Sequence, residues 1–459
     1  MEKISRRSFL STAALSASAL HQGCGKSKPD KPKSVIKDFR SYPLQDIERE
    51  NITITDIKVT PLSYVHKGDY LWRCAGLYVW KADAALCQVF TNQGLVGIAE
   101  GSPYRNPANL KEYTDKYIKP RLLGRNVFDA DFLTDGQAHN SLAEGAWAGV
   151  NNALWDIIGK AKGEPVYKLL SNVTNPANTI PLYASGGVSH AWYDDGETEL
   201  IEEALKHKEN GFDTFKFRNG TSWEYSGMTL EKYIPILRRL REAVGPDFKL
   251  CLEKFPWEFD DIISILCPAL EDLKFYWYEE PVAHNARNAI DEHLAINEAM
   301  PSVMVSGGEN FWNRFQVQPF VVSGAMNIIQ TDCNLSGISE GWHIGQIVHH
   351  YGQRYCPHNW VGGLSTIANA HLAAGVPSGH MCELNQTFNP LKWDIFKEPY
   401  HIENGVMTIP DKPGYGVELI DNIEQKFPWT PGPYYKKNPV FEDHDLPIWW
   451  SGVAPRASV

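Results

Sequence analysis

The sequence predicts an α/β chain: a parallel barrel of the (β/α) type, preceded by a smaller α+β domain. Three observations predict it. Short apolar runs stop abruptly at an acid in KLCLEKFPW (Glu253), FYWYEEPV (Glu279) and VMVSGGEN (Glu309). Such a run reads as a buried parallel strand with its acid at the carboxyl end, where barrel enzymes keep their chemistry. The acids recur after 26 and then 30 residues (253 to 279, 279 to 309), room for one strand, loop and helix per unit. From Ile180 onward, strands alternate with amphipathic helices over short connections, the rhythm of a parallel sheet.

The elements follow in order. Residues 1–24 read as a twin-arginine export signal: SRRSFL supplies Arg6 and Arg7, and STAALSASAL is too short and too rich in Ser and Ala to stay in a membrane. Ala17-Ser18-Ala19 fits a small-residue cleavage site, whereas Cys24 offers the alternative of a lipid-anchored first residue. The expected location is the periplasm, or the cell envelope through that anchor. Residues 25–48 read as a solvated linker of Lys, Pro and Ser. Within 49–170, ITDIKVTPLSYV, ALCQVFT and LVGIAEG read as strands, the last two joined by a turn at Asn92-Gln93-Gly94. Ala146, Val150, Ala153, Leu154 and Ile157 then share one helix face. The barrel spans 178–400. IPLYASGG is a strand, ETELIEEALKHKENG a helix with a Gly stop, DTFKFR a strand and LEKYIPILRRLREAVG a helix. After the three acids, NIIQTDCNLSG places Asp332, and RYCPHNWVGG places His358, at the ends of two further strands. Residues 401–459 lose the rhythm and are rich in Pro, Trp and Tyr.

Composition excludes several classes. A net charge of -11 and no Lys/Arg cluster leave no footprint for nucleic acid. No stretch after the signal approaches the roughly 18 apolar residues of an integral span. Seven cysteines lie beyond Cys24 without a CxxC pair; Cys87, Cys251 and Cys333 fall in or beside apolar strands and read as small core residues. Neither a phosphate-cradling Gly loop nor a Gly-x-Ser-x-Gly elbow appears.

Three carboxylates aimed into one site repel one another, and a divalent cation resolves the conflict; hard oxygen ligands suit Mg²⁺. Asp332, one unit before His358, is placed to orient an imidazole and raise its basicity. The order Lys216-x-Arg218, Glu253, Glu279-Glu280-Pro281, Gly308-Glu309-Asn310, Gln330-x-Asp332, His358 resembles the enolase superfamily, in its mandelate racemase-like branch. FTNQGLVGIAEG resembles that family's capping hairpin, AWAGVNNALWDIIGKAKGEPVYKLL the helix leading into its barrel, and IPDKPGYGVEL its C-terminal return. The likeness covers nearly all the chain after about residue 50. It implies a modified TIM barrel, (β/α)7β, with an α+β capping domain built from the N-terminal part and the C-terminal tail. It also implies Mg²⁺ on Glu253, Glu279 and Glu309, a homo-oligomer, and removal of a proton alpha to a carboxylate to form an enediolate.

Departures from the family pattern set the subtype. The second basic position of DTFKFR is Arg218, which stays protonated and is a poor proton acceptor. Lys216 and Arg218 then serve to bind substrate, and His358 with Asp332 is the base. A site with a base on one face favours abstraction followed by loss of water. Asp332 in place of lysine argues against the muconate-cycloisomerising and dipeptide-epimerising branches. Glu253 replaces the commoner Asp and only lengthens a ligand, Phe255 removes a polar group, and Glu280 reads as a neighbour supporting Glu279. Glu383 in GHMCELN is placed to hydrogen-bond the substrate carboxylate, while Tyr64, His66, Trp72 and Tyr78 could line the mouth and read distal hydroxyls. The expected activity is Mg²⁺-dependent dehydration of a sugar-derived polyhydroxy acid, an aldonate or aldarate, to a 2-keto-3-deoxy acid. The alternatives are a racemase, epimerase or lactone cycloisomerase on the same scaffold, or an exported sugar-acid-binding protein with a disabled site.

Replacing Arg6 and Arg7 with Lys should trap the chain in the cytoplasm, as cell fractionation would show. Unchanged export of the double variant would reject the route, and mass spectrometry of the mature N-terminus separates a lipidated Cys24 from a soluble form.

Overall fold

The computed structural model describes residues 40–437 apart from 75–76, 103, 105, 134–140, 193, 221–225 and 255–256. The export signal, Cys24 and Phe255 therefore lie outside the described residues. Alternating apolar residues build the first sheet. β1 (Ile54–Val65) is followed by a short hairpin, β2 (Trp72–Cys74) and β3 (Leu77–Val79), which the sequence does not announce. β4 (Lys81–Thr91) lies antiparallel to β1, then turns through Gly94, at φ 78°, into β5 (Val96–Gly101). The helix Ser141–Lys162 packs between this sheet and the helix Cys333–His350, so it is buried almost all round and not only on its predicted face. Gly97 permits the close approach: a Cβ there would fall 2.0 Å from the Ala153 carbonyl oxygen.

The barrel strands are β6 (Thr179–Gly186), β7 (Thr214–Arg218), β8 (Lys249–Glu253), β9 (Trp277–Glu279), β10 (Met304–Gly307), β11 (Ile328–Ile329) and β12 (Arg354–Tyr355). Each runs parallel to the next. β13 (Cys382–Asn385) pairs with β6, and a parallel bridge from Tyr355 to Gly379 closes the ring. Helical segments join each strand to the next, which makes the ring a (β/α)7β barrel. Cys251 and Trp277, two residues before Glu253 and Glu279, face the same way as those acids. They join Tyr183, Ile328, Cys356 and Met381 in a separate buried cluster. Six cysteines, Cys87, Cys251 and Cys333 among them, are free and buried.

The C-terminal segment does not pack on the capping domain alone. β14 (His401–Glu403) and β15 (Val406–Thr408) form a hairpin that extends β6, while β16 (Tyr435–Lys437) returns to pair with β3. Among the described residues no helix is long and apolar enough to cross a membrane.

One detail of the helix Cys333–His350 matters for the site. It breaks at Gly337, at φ 71°, and side chains of the helix Ser141–Lys162 take over the lost backbone bonds. Asn152 donates to the Cys333 carbonyl and accepts from the Ile338 amide, both at 2.9 Å, while Asn151 accepts from the Ser339 amide at 3.0 Å. Asn152→Ala would strand a buried donor and a buried acceptor, at about 1–3 kcal/mol each. Its thermal midpoint should fall by several degrees; an unchanged midpoint would show that the break does not depend on this amide.

Candidate active site

Strand register assembles the site. Arg218, Glu253 and Glu279 are direct neighbours across β7, β8 and β9. Glu309 follows β10 by two residues, after Gly308 turns the chain at φ 97°. One carboxylate oxygen from each of Glu253, Glu279 and Glu309 lies within 4.8 Å of the other two.

Cations thread between these acids. Lys216 Nζ lies 2.9 Å from Glu253, 2.7 Å from Glu279 and 3.0 Å from Glu383. The Arg218 guanidinium pairs with Glu253 and sits 5.6 Å from the Trp360 ring centroid. Lys254, at φ 70°, turns its amine back to 3.0 Å from Glu309 and also pairs with Glu280. Glu279 accepts further hydrogen bonds from Gln330 at 2.5 Å and from the Trp277 indole at 3.2 Å. Burial pushes the Glu279 carboxyl up to about 7; Lys216 opposes this, while Glu253, Glu383 and Glu309 add to it. Burial would raise Glu253 and Glu309 as well. Arg218 and Lys216 hold the first low, and Lys254 and His358 hold the second well below the usual range. Lys216, despite its burial, is held well above its ordinary value by the surrounding glutamates.

The donor set fits a hard divalent cation: three carboxylates, no nitrogen or sulfur, and one buried oxygen, Glu309 Oε2, that accepts no hydrogen bond.

His358 and Asp332 come together as the sequence suggests, but neither is at a strand end. Each lies three residues beyond a two-residue strand. The chain stays extended past β11 until Asp332 caps the helix Cys333–His350. Asp332 Oδ1 accepts from the Asn334 amide and from Asn369 Nδ2, both at 2.9 Å. Its Oδ2 lies 3.0 Å from His358 Nδ1. That partner assigns the proton to Nδ1 and turns Nε2 toward the acids, 3.6 Å from Glu309 and 3.9 Å from Glu383. Burial alone would lower the imidazole, but Glu383, Asp332 and Glu309 raise it to about 10. Glu383, on β13, also accepts from the Asn359 amide at 2.6 Å.

Beside this cluster a cleft opens between the N-terminal hairpins and the loops after β12 and β13. Trp72 lines it, edge to face with Trp360 at 5.8 Å. Tyr64 and His66 pack instead on Phe388, at 5.8 and 6.4 Å, and Tyr78 lies against Tyr70 at 4.8 Å. Sequence reasoning missed Lys254, Asn369, Tyr104 and Trp360. Only Lys254 carried a signal, a cation directly after the acid that ends β8.

Comparison with known proteins agrees with the geometry. The family model described as mandelate racemase / muconate lactonizing enzyme, N-terminal domain, matches residues 73–171, and enolase C-terminal domain-like matches 199–423. The chain is 28% identical over 408 residues to an arabinonate dehydratase of Saccharolobus solfataricus, covering 86% of this chain and 99% of that protein. It is 28% identical over 368 residues to a D-galactarolactone cycloisomerase of Agrobacterium fabrum, covering 77% and 93%. A solved enolase-superfamily structure from Polaromonas sp. JS666 superposes with a TM-score of 0.72 at 27% identity, covering 83% of this chain and 99% of that one. The chain belongs to the mandelate racemase / muconate lactonizing enzyme family of the enolase superfamily.

Glu279→Gln should weaken Mg²⁺ binding to chelator-treated protein more than about 10-fold by calorimetry, with the circular dichroism spectrum unchanged. Wild-type affinity in that variant would remove Glu279 from the metal site.

Proposed function

We propose that this enzyme dehydrates a sugar-derived polyhydroxy acid to a 2-keto-3-deoxy acid. The observation that carries the reading is the His358–Asp332 pair, whose Nε2 is aimed at the carboxylate triad while Arg218 is held against Glu253 and Trp360. Glu253, Glu279 and Glu309 would hold Mg²⁺, which when bound offsets negative charge developing on the substrate carboxyl.

The chain's own groups do the rest. His358 Nε2 takes the α-proton, and Asp332 holds Nδ1–H and stabilises the imidazolium that results. Lys216 keeps its proton and, beside Glu383, is placed to grip the substrate carboxylate. Arg218, always charged, is placed to donate to a substrate oxygen but not to accept the α-proton. With an acceptor on one face only, the carbanion is discharged by loss of the β-hydroxyl, and the imidazolium returns its proton to the departing oxygen. Similarity to an arabinonate dehydratase supports this reading. Similarity to a galactarolactone cycloisomerase supports an isomerase as the second reading, with the same base and metal ligands.

Removing a positioned base typically costs about 10²–10⁴-fold. His358→Asn should lose at least about 10²-fold in kcat and stop exchange of the substrate's α-proton with solvent, while Mg²⁺ affinity stays near wild type. Asp332→Asn should lose less. Because the Asp332 carboxylate raises the imidazole, its removal should move the acid limb of the pH–rate profile to lower pH. Rapid α-proton exchange surviving in His358→Asn would move the base elsewhere.

A further inference from the structure

Lys254 has no task in proton abstraction or loss of water, yet the backbone is bent to place it. It follows Glu253 directly and sits at φ 70°, a region that L side chains rarely adopt. Glu280 directly follows Glu279 and sits at φ 44°. Two of the three glutamates of the triad are thus followed by a left-handed residue, and those two residues pair with each other. Neighbouring strands fix both turns. The Lys254 amide donates to the Glu279 carbonyl at 2.8 Å, and the Glu280 amide donates to the Ser306 carbonyl at 2.9 Å. Strained backbone that its surroundings hold in place clusters where a side chain must be aimed.

The aim is at one oxygen of Glu309. Lys254 Nζ donates to Glu309 Oε1 at 3.0 Å, and Asn310 Nδ2 donates to the same oxygen at 3.3 Å. Oε2 is buried and accepts no hydrogen bond, with His358 Nε2 3.6 Å away. A counter-ion alone would not need this division, because an ammonium placed between the two oxygens would compensate the charge as well. The other acids of the triad have donors on both oxygens. Arg218 pairs with Glu253 Oε1, and Lys216 lies 2.9 Å from its Oε2. Glu279 Oε1 is 2.7 Å from Lys216, while its Oε2 accepts from Gln330 at 2.5 Å and from the Trp277 indole at 3.2 Å. Glu309 is therefore the acid of the triad with an oxygen free of donors, and Lys254 decides which one.

The division bears on the choice of ion. Ca²⁺ gathers about six to eight oxygens and takes both oxygens of one carboxylate, whereas Mg²⁺ takes about six in a rigid octahedron and keeps several waters. An ion held by both Glu309 oxygens would come against the ammonium on Oε1, and like charges in a buried site repel strongly. We propose that Lys254 is a metal-specificity residue: it restricts Glu309 to coordination through Oε2 and so favours Mg²⁺ over Ca²⁺. The proposal rests on the reading of Glu253, Glu279 and Glu309 as metal ligands. Glu280 anchors the amine. It is 6% exposed, pairs with Lys254 through Oε2, and has His284 Nδ1 3.8 Å from Oε1. Removing the amine would open Glu309 Oε1, and a second oxygen serves the larger ion more than the smaller.

The test titrates Mg²⁺ and, separately, Ca²⁺ into chelator-treated full-length enzyme by calorimetry. Both ions carry the same charge, so a general loss of repulsion cancels in the ratio of their affinities. The Lys254 side chain is 31% exposed, so Lys254→Met should fold, as circular dichroism would show. It should tighten both ions and lower the Mg²⁺-to-Ca²⁺ affinity ratio at least about 10-fold. If the stranded Glu280 carboxylate prevents folding, Lys254→Met with Glu280→Gln removes both charges together and should lower the ratio equally. Equal tightening of both ions, with the ratio unmoved, would overturn the proposal and reduce Lys254 to a counter-ion. Wild-type enzyme that binds neither ion would reject the metal assignment as well; wild-type enzyme that binds Mg²⁺, with a ratio the variants leave unmoved, would reject only the role of Lys254.

Discussion

Five carboxylates, Glu253, Glu279, Glu309, Asp332 and Glu383, converge at one end of the barrel, four of them buried and Glu309 partly so, and every other feature of the site answers to their repulsion. Burying like charges side by side is costly unless cations or hydrogen bonds compensate each one. Lys216, Arg218 and Lys254 supply fixed positive charge, and His358 supplies charge that depends on its proton. The compensation is uneven. Glu279 is still pushed up to about 7, and Glu309 retains a buried oxygen without a hydrogen bond. A divalent cation at the triad would complete the balance, and it would also lessen the push of Glu309 on His358, bringing the imidazole nearer to a working base.

The fold holds this arrangement by making single residues serve two structures at once. Asp332 both caps a helix and orients the imidazole, so the geometry of His358 is tied to the start of that helix. The helix in turn is broken at Gly337 and rebonded by Asn151 and Asn152 from the capping region. Glu100, at the end of β5, reaches the Gly362 amide at 3.3 Å, at the start of the helix that follows the His358 loop. Burial pushes this carboxyl up to about 8. The N-terminal sheet therefore bears on the His358 loop through hydrogen bonds as well as packing.

Much of this was legible in the sequence, because a strand that ends in an acid writes its position in the chain. Glu253, Glu279 and Glu309 were visible for that reason, and Lys216 with Arg218 because DTFKFR resembles a basic strand of the family. Asp332 and His358 were found in the right order but assigned to strand ends. β11 and β12 are only two residues long, and the extended segments after them carry no apolar alternation to mark the boundary. The β2–β3 hairpin escaped notice because three-residue strands leave no periodic trace. Lys254 was obscured by backbone conformation: its positive φ of 70° aims its side chain where alternation would not. The aromatic cleft was the least legible, since Tyr104, Trp360, Phe388 and Tyr434 are brought together only by long-range packing.

The central claim is that proton abstraction occurs from one face and is resolved by elimination. Its most direct test is to run the wild-type reaction in D₂O to partial completion and examine both product and residual acid by NMR. The account predicts a 2-keto-3-deoxy product carrying a solvent deuteron at C3, with residual acid that keeps its configuration at C2. Residual acid inverted at C2 and labelled with deuterium there would contradict it, because a second acid/base group would then have to face the substrate.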